Sequence, residues 1–493
     1  MSLAKALPLS ILLGFLLYCC EKPGIISDPS ARLEFSVDTV LFDTVFTTIG
    51  STTHHFKVYN RHSQAILVDR IALAGGESSR FRLNINGRAG NELTGVEIPS
   101  RDSIFIFVEV TLDPNGLNDP MVIKDSVTFM TNNNFQDVDL VAFGQDVHLF
   151  AADTIGNETW VNDKPYLVYG YVYVDSLKTL TIDPGVRIHF HNRSSLLVGG
   201  TLVVNGTLDQ PVSFQGDRLE PWYDNNPGQW GAWLEYDNGA RYFLGGIHLL
   251  NGSKNNRIRH AIIKNATKGI QLDTLASRDQ PTLIIENSTI ENMSIAGIYA
   301  QSSSLLAINC VINYCKQWCV ALTLGGHYEF YHCTINNSAS NPFDEWIRTD
   351  PAVLLNNFYI YGNQAYVYQL EQALFANCII SGNRQIEIGF ANTINQVPVP
   401  GAFNYHFDHC LVKVDTLNTS DETHWTSITK NVDPRYASPA EHNYRLDSLS
   451  PARGKAKTEY ALMFPLDYDG VNRTEDGKPD LGAFEWITKH KGR

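Results

Sequence analysis

The chain has 493 residues, and its 38 basic and 52 acidic side chains leave a net charge of −14. That excess of carboxylates repels phosphate backbones, and with no Lys/Arg-rich run to offset it the charge argues against a nucleic-acid partner. The length is ample for a large core and more than one domain. Aromatic residues at 11%, frequent Asn, Gly, Thr, Ser and Ile, and the lack of long helix-period stretches indicate an all-β protein.

Residues 1–20 read as an export signal. Lys5 supplies a basic start, and Leu7 to Tyr18 is mostly apolar but too short to span a bilayer as a lone helix. The run ends in Cys19-Cys20, followed by Glu21-Lys22-Pro23. The stretch from Leu16 to Lys22 resembles the relaxed lipobox of Bacteroidota lipoproteins. That resemblance implies lipidation at Cys20 rather than Cys19, which has the bulky Tyr18 before it. It also implies an outer-membrane protein held by its lipid and facing the periplasm or the cell surface. An ordinary cleaved signal is the alternative. No later stretch is apolar enough to cross a membrane.

A polar linker occupies 21–32, and strands follow over 33–150. Phe56-Lys57-Val58 and Phe81 to Ile85 alternate apolar with polar residues, as half-buried antiparallel strands do. Ile104 to Val110 is nearly continuous and suits a core strand. Asp113-Pro114, Asn115-Gly116 and Asn132 to Asn134 supply turn chemistry. These features predict a β-sandwich. It resembles the immunoglobulin-like modules of bacterial surface proteins in Phe56 to Asn60, Ile98-Pro99-Ser100 and Gly144-Gln145, which implies a spacer or interaction module. His54-His55 reads as a solvated strand end.

Residues 155–488 carry an internal repeat. Asn287 to Asn292 aligns with Asn309 to Asn313, His332 to Asn337 and Asn377 to Ile380, with His260 to Asn265 leading and His409 to Val412 trailing. The second residue of each unit falls at 261, 288, 310, 333, 378 and 410. The shortest spacings, near 22 residues, suit a coil of three short strands and three turns, and Leu180 and Leu202 repeat the interval. The gap from 333 to 378 fits two coils or one coil with an insertion. Coils stacked at about 4.8 Å place equivalent side chains in columns. Cys310, Cys333, Cys378 and Cys410 then form one inward column, and Ile290, Ile312, Ile335 and Ile380 a second, two residues on. Asn265, Asn292 and Asn337 mark a turn where amides stack.

There are 8 cysteines. Two lie in the signal. The four of the column sit about one strand spacing apart, wider than a relaxed disulfide prefers, and read as buried thiols. Cys315 and Cys319 are left open between a pair and two thiols.

Residues 159–486 resemble the right-handed parallel β-helix proteins of Bacteroidota surfaces. The likeness rests on Tyr166 to Gly170, Leu180 to Val186 and Gly199 to Gly206. At the end it rests on Ser450-Pro451-Ala452, Asp467 to Gly470, Arg473 and Pro479 to Glu485. It implies an immunoglobulin-like sandwich followed by a right-handed, single-stranded β-helix with a C-terminal closing segment. It leaves function open among lyases, hydrolases, epimerases, adhesins and spacers.

Catalytic signatures are thin. The hydrolases of this fold need paired aspartates that do not accompany Gly325-Gly326-His327 or Arg257-Ile258-Arg259. Asp273, Glu286, Glu291 and Lys264 are residue types a lyase uses, with no spacing that makes them converge. Two insertions, near 216–246 and 341–370, combine aromatic and acidic residues that suit sugar rings and hydroxyls. They supply the candidate ligand contacts Asp217, Arg218, Trp222, Tyr223, Asp224, Trp230 and Trp233, and Asp344, Glu345 and Trp346. Capping of the helix side is the competing reading. His189/His191 and His406/His409 lack a third metal ligand. Asp467 to Asn472 resembles a calcium loop whose closing Glu is out of place, so no cofactor is expected, with Ca²⁺ as the alternative. Asp followed by Ser or Thr at Asp38, Asp43, Asp102, Asp125, Asp153, Asp175, Asp273, Asp415 and Asp447 resembles an O-glycosylation sequon, or an ordinary strand entry. The expectation is a monomeric envelope lipoprotein that binds a glycan or serves as scaffold, with a polysaccharide lyase or hydrolase as the alternative.

Overall fold

A computed structural model describes residues 24–47, 49–114, 116, 118, 120–235, 241–273, 280–338 and 348–487, with the side chains of 233–235 and 241–243 excepted. The chain divides into two compact units, 1–146 and 147–493. The signal segment, with its lipidation candidate Cys20, lies outside the described residues.

The first unit is two five-stranded sheets around one core. One runs in the order Glu34–Phe35, His54–Tyr59, Ser103–Val110, Phe81–Ile85, Arg88–Ala89, all antiparallel. The other runs Thr39–Phe46, Asn134–Gln145, Met121–Thr131, Ile66–Leu73, Glu92–Ile98. Alternation works as the sequence indicates: Phe56, Val58, Phe81, Ile85, Ile106 and Val108 point in and are buried. One pairing differs from an antiparallel scheme. Thr39–Phe46 runs parallel to Asn134–Gln145, with a shift at Ala142/Phe143.

The second unit is a parallel β-helix in which 26 strands join in one ladder system. It starts at His148, which pairs with Tyr166, so its first strand lies partly inside the stretch the sequence reading gave to the sandwich. One coil shows the plan: Asn256–Arg259 on a first sheet, Ala261–Lys264 on a second, Lys268–Leu272 on a third. The isoleucine column runs through the second sheet in register, Ile188, Phe214, Ile263, Ile290, Ile312, Ile335, Ile380, Val412. All are fully buried, and each contributes about 1.5–3 kcal/mol by leaving water. Thr334–Asn337 pairs directly with Ile379–Gly382, so the long gap is one coil with an insertion.

The cysteine column is real. All six described cysteines are free and buried. Each column thiol donates to the carbonyl two residues back and to one on the preceding coil: Cys333 to Tyr331 (3.4 Å) and Ala307 (3.6 Å), Cys378 to Ala376 (3.3 Å) and Phe330 (3.4 Å). A small side chain with a weak donor fits a site walled by carbonyls. Cys315 and Cys319 are likewise thiols, not a disulfide.

The residue before each column position sits at a sharp corner. His260, Asn287, Asn309, His332, Asn377 and His409 all have φ between 45° and 55°, where Asn and His are over-represented. The amide ladder forms chiefly here: Asn309 Nδ2 donates to Asn287 Oδ1 at 2.9 Å. At the next corner Asn292 donates to Asn265 (2.5 Å), but Tyr314 takes the following place. Asn337 instead accepts from Cys315 N (3.0 Å), so the expected asparagine stack is interrupted. Gly206 marks a close approach, because a Cβ there would lie 2.2 Å from the His260 carbonyl oxygen.

The C-terminal segment does not sit over the end of the tube. It runs back along the outside of the second sheet. Tyr460 bonds Asp408 (2.7 Å), Gly482 N bonds Asn377 O (2.8 Å), Ala483 N bonds Thr334 (2.9 Å), and Tyr468 meets Thr289 (3.0 Å). Its buried Arg473 donates to Asn309 Oδ1 (2.9 Å). Asp467 and Glu485 lie around that guanidinium, and burial raises both carboxyls, as it raises nearby Asp480.

Candidate functional site

The first insertion leaves the second sheet at Gly216 and returns through Trp230. Asp217 accepts from His191 Nδ1 at 2.7 Å, and His191 stacks on Tyr169 at 4.1 Å. Arg218 makes a bidentate pair with Glu220 and lies 4.0 Å over the Tyr223 ring. Pro221–Tyr223 forms a single 3-10 turn that presents Trp222, which is 66% exposed. Asp224 then accepts from Lys264 Nζ at 2.6 Å, and its carbonyl accepts from Asn265 (2.9 Å). A polar cavity of about 150 Å³ opens between these groups, lined by Gln215, Arg218, Asp224, Lys264 and Asn265 among others.

Arg218, Tyr223 and Asp224 therefore lie together, with Trp222 exposed on the same turn and Asp217 tied to the neighbouring strand. Trp230 does not join them. It is fully buried, stacked on Phe190 at 4.1 Å, with its indole N–H on the Lys264 carbonyl (2.8 Å). It completes the core, so its place among the ligand contacts is corrected. Trp233 begins a short strand, Trp233–Glu235, whose side chains are outside the described set, as are Tyr236, Asp344, Glu345 and Trp346. Of the second insertion, the hairpin Phe358–Tyr361/Gln364–Val367 is described, and it exposes Ile360 and Tyr361.

The carboxylates considered for lyase chemistry disperse. Glu286 pairs with Arg257 and Arg259, Glu291 with His442, and Lys264 with Asp224. Asp273 alone enters a cluster, and its partners were missed. His248 Nε2 meets Asp273 at 2.5 Å, and Gln271 donates to the same carboxylate at 2.9 Å. Lys268 donates to Gln271 (3.0 Å) and lies 4.1 Å over the Tyr299 ring. Burial pulls the Lys268 amine down to about 8, against the attraction of Asp273. Burial pushes the Asp273 carboxyl up, but the His248 interaction, the Gln271 hydrogen bond and the Lys268 charge together outweigh it and hold the group below the usual carboxylate value. The signal was present in the sequence. His248, Gln271 and Tyr299 each follow an inward isoleucine of one column, Ile247, Ile270 and Ile298.

The metal-like fragments are spent elsewhere. His189 is buried on the Gly216 carbonyl and lowered to about 4 by burial. His409 pairs with Asp408, and His406 with Thr426. Asp467 accepts from the backbone of Val471 and Glu485, while Asp469 binds Arg445. Among the described residues no group of three or more His, Cys, Asp or Glu is placed to hold a metal.

A family model described as a right-handed β-helix region matches residues 223–335, within the parallel coils described above. No curated protein matches. Among solved structures, the catalytic unit of a thermostable GH87 α-1,3-glucanase from Streptomyces thermodiastaticus is 10% identical, covering 76% of this chain and 89% of that one, with a TM-score of 0.20. The PapD-like domain 7 of human CEP192 is 10% identical over 26% of this chain and 92% of its own, TM-score 0.17. A family 123 glycoside hydrolase from Clostridium perfringens is 7% identical over 25% of this chain and 26% of its own, TM-score 0.17.

Proposed function

We propose that this chain is an envelope-tethered glycan-binding protein, lipidated at Cys20 and contacting sugar through the first insertion. The observation that carries the reading is the exposed Trp222 ring, two residues from Asp224 at the rim of a polar cavity. An indole face takes the CH face of a pyranose, while Asp224 accepts hydroxyls and Arg218 and Lys264 donate to them. The cavity is smaller than a typical ligand pocket, so it receives one edge of a sugar whose ring rests on Trp222. The test is a glycan array probed with the full-length chain and with Trp222→Ala and Asp224→Asn. Binding that falls at least tenfold in both variants supports the reading. Binding equal in all three proteins, or none across the array, removes it. Fractionation of cells carrying Cys20→Ala tests the tether: the variant moves to the soluble fraction, and unchanged membrane association contradicts the anchor.

A second reading, a polysaccharide lyase or glycoside hydrolase, has one observation in its favour: the Lys268 amine, lowered to about 8, beside Tyr299 and the His248–Asp273 pair. Unsaturated uronate or new reducing ends, released by the wild type and not by Lys268→Met, would install it in place of simple binding.

A further inference from the structure

The outward row of the second sheet runs Lys264, Glu291, Asn313, Asn336, Ser381, one residue per coil. The insertion cavity lies at its Lys264 end. Three rungs on, about 14 Å at the sheet spacing, a larger cavity of about 500 Å³ opens between the same row and the returning C-terminal segment. Nothing in the glycan reading uses it, and its volume falls within the range of ordinary small-molecule pockets.

Its lining is mixed, with Val432, Pro434, Pro439 and Ala440 beside the polar groups. Asn336, Ser381 and Asn431 offer amides and hydroxyls, and Tyr314 and Tyr436 offer rings. Charge enters only as Lys413 and Asp433, which cancel. Lys413 spends one donor on the Gly382 carbonyl (2.9 Å). Tyr436 sits 3.1 Å from the Ser381 hydroxyl. Asn336 is 3% exposed, and its Oδ1 already accepts from Ser381 (2.9 Å) and Ser338 (3.2 Å). The same amide side chain also bonds the Tyr444 hydroxyl. The groups left to a ligand are the exposed Asn431, with the half-buried Ser338, Tyr314 and Tyr436 beside it. A cavity so lined presents amide, hydroxyl and ring atoms to a molecule from outside the chain.

We infer that this cavity is a second carbohydrate site, taking a neutral mono- or disaccharide unit. A net-neutral lining selects against an ionised ligand, and amides, hydroxyls and tyrosine rings match a polyol with one apolar face. The inference deepens the glycan reading and rests on it, but uses residues independent of the insertion.

The experiment titrates the full-length chain with cellobiose, maltose, chitobiose and digalacturonate, followed by saturation-transfer NMR and calorimetry. Ala440→Trp, at an exposed lining position, blocks the cavity, and Ser338→Trp is a second block if the first variant does not fold. A neutral disaccharide is expected to bind the wild type, to lose at least tenfold in the blocked variant, and to stay within twofold in Trp222→Ala. Lys413→Met is expected to stay within threefold, because the ligand carries no charge. The proposal is overturned if no neutral disaccharide binds, if the block has no effect, if digalacturonate is the ligand the block displaces, or if Lys413→Met costs tenfold. Array binding sensitive to Trp222 with no disaccharide binding overturns this cavity alone and leaves the insertion site standing.

Discussion

The two sides of the second sheet obey different rules. Inward, one residue type repeats coil after coil, because each side chain packs on its own counterpart above and below. Outward, each rung finds a different partner: Lys264 an aspartate, Glu291 a histidine from the closing segment, Ser381 a tyrosine. Repetition is the mark of packing and its loss the mark of a surface given to other tasks. Where an inward or buried position departs from repetition, a large cost attaches to disturbing it.

The sharpest departure is the Arg348–Glu387 pair, with both side chains fully buried and Glu387 also accepting from Ala352 N. Glu387→Ala strands a buried guanidinium and should cost about 3–5 kcal/mol in urea denaturation. A loss under 1 kcal/mol would mean that water reaches the pair. Within the repeat, Ile312→Ala should cost about 2–5 kcal/mol, since the columns on either side cannot collapse into the gap. Thr289→Ala, on the outward side one rung away, should cost far less. Equal costs would erase the distinction between the two sides. Cys333→Leu overfills a thiol column and should lose about 1–3 kcal/mol. The six described thiols should ignore Ellman's reagent until the chain unfolds, and fast reaction at Cys310, Cys333, Cys378 or Cys410 would show the column open.

The closing segment sharpens the comparison through pH. Burial raises Glu485 to about 8, and Asp467 and Asp480 also lie above ordinary values. The folded state therefore holds protons that the unfolded state releases. That contribution is present below the unfolded carboxyl range and is lost as pH rises through the folded value. His442, raised by Glu291, acts with the same sign. The buried His189 and Lys268, both lowered, pull the other way, so the comparison is between proteins: from pH 5 to 9 the wild type should lose more of its thermal midpoint than Glu485→Gln does. An equal pH dependence in the two proteins contradicts the assignment. The smallest effect belongs to Trp222→Ala: an exposed ring should leave stability within about 0.5 kcal/mol while glycan binding drops.

The columns were legible in the sequence because a period of about 22 residues brings back a small residue and, two on, a β-branched apolar one, as Cys and Ile in the units at 310, 333 and 378. The corner also announced itself, through Asn or His before each column residue. The places of the insertions were legible but the facing of their side chains was not, because leaving the coil removes the period that says which way a side chain points. Trp222 and Trp230 look alike as letters, yet one is presented by a turn and the other fills the core beside Phe190. The course of the closing segment was equally hidden, since Tyr468 and Thr289 meet across 179 residues with no repeat to relate them. The Lys268 cluster lay in plain register and was passed over because its coils differ in length.

The most direct test of the account is a crystal structure of the chain soaked with the best ligand from the array. A sugar ring stacked on Trp222 with hydroxyls on Asp224 and Arg218 is the expected result. Sugar density only on the N-terminal sandwich, or only on the third sheet beside Lys268, would contradict it.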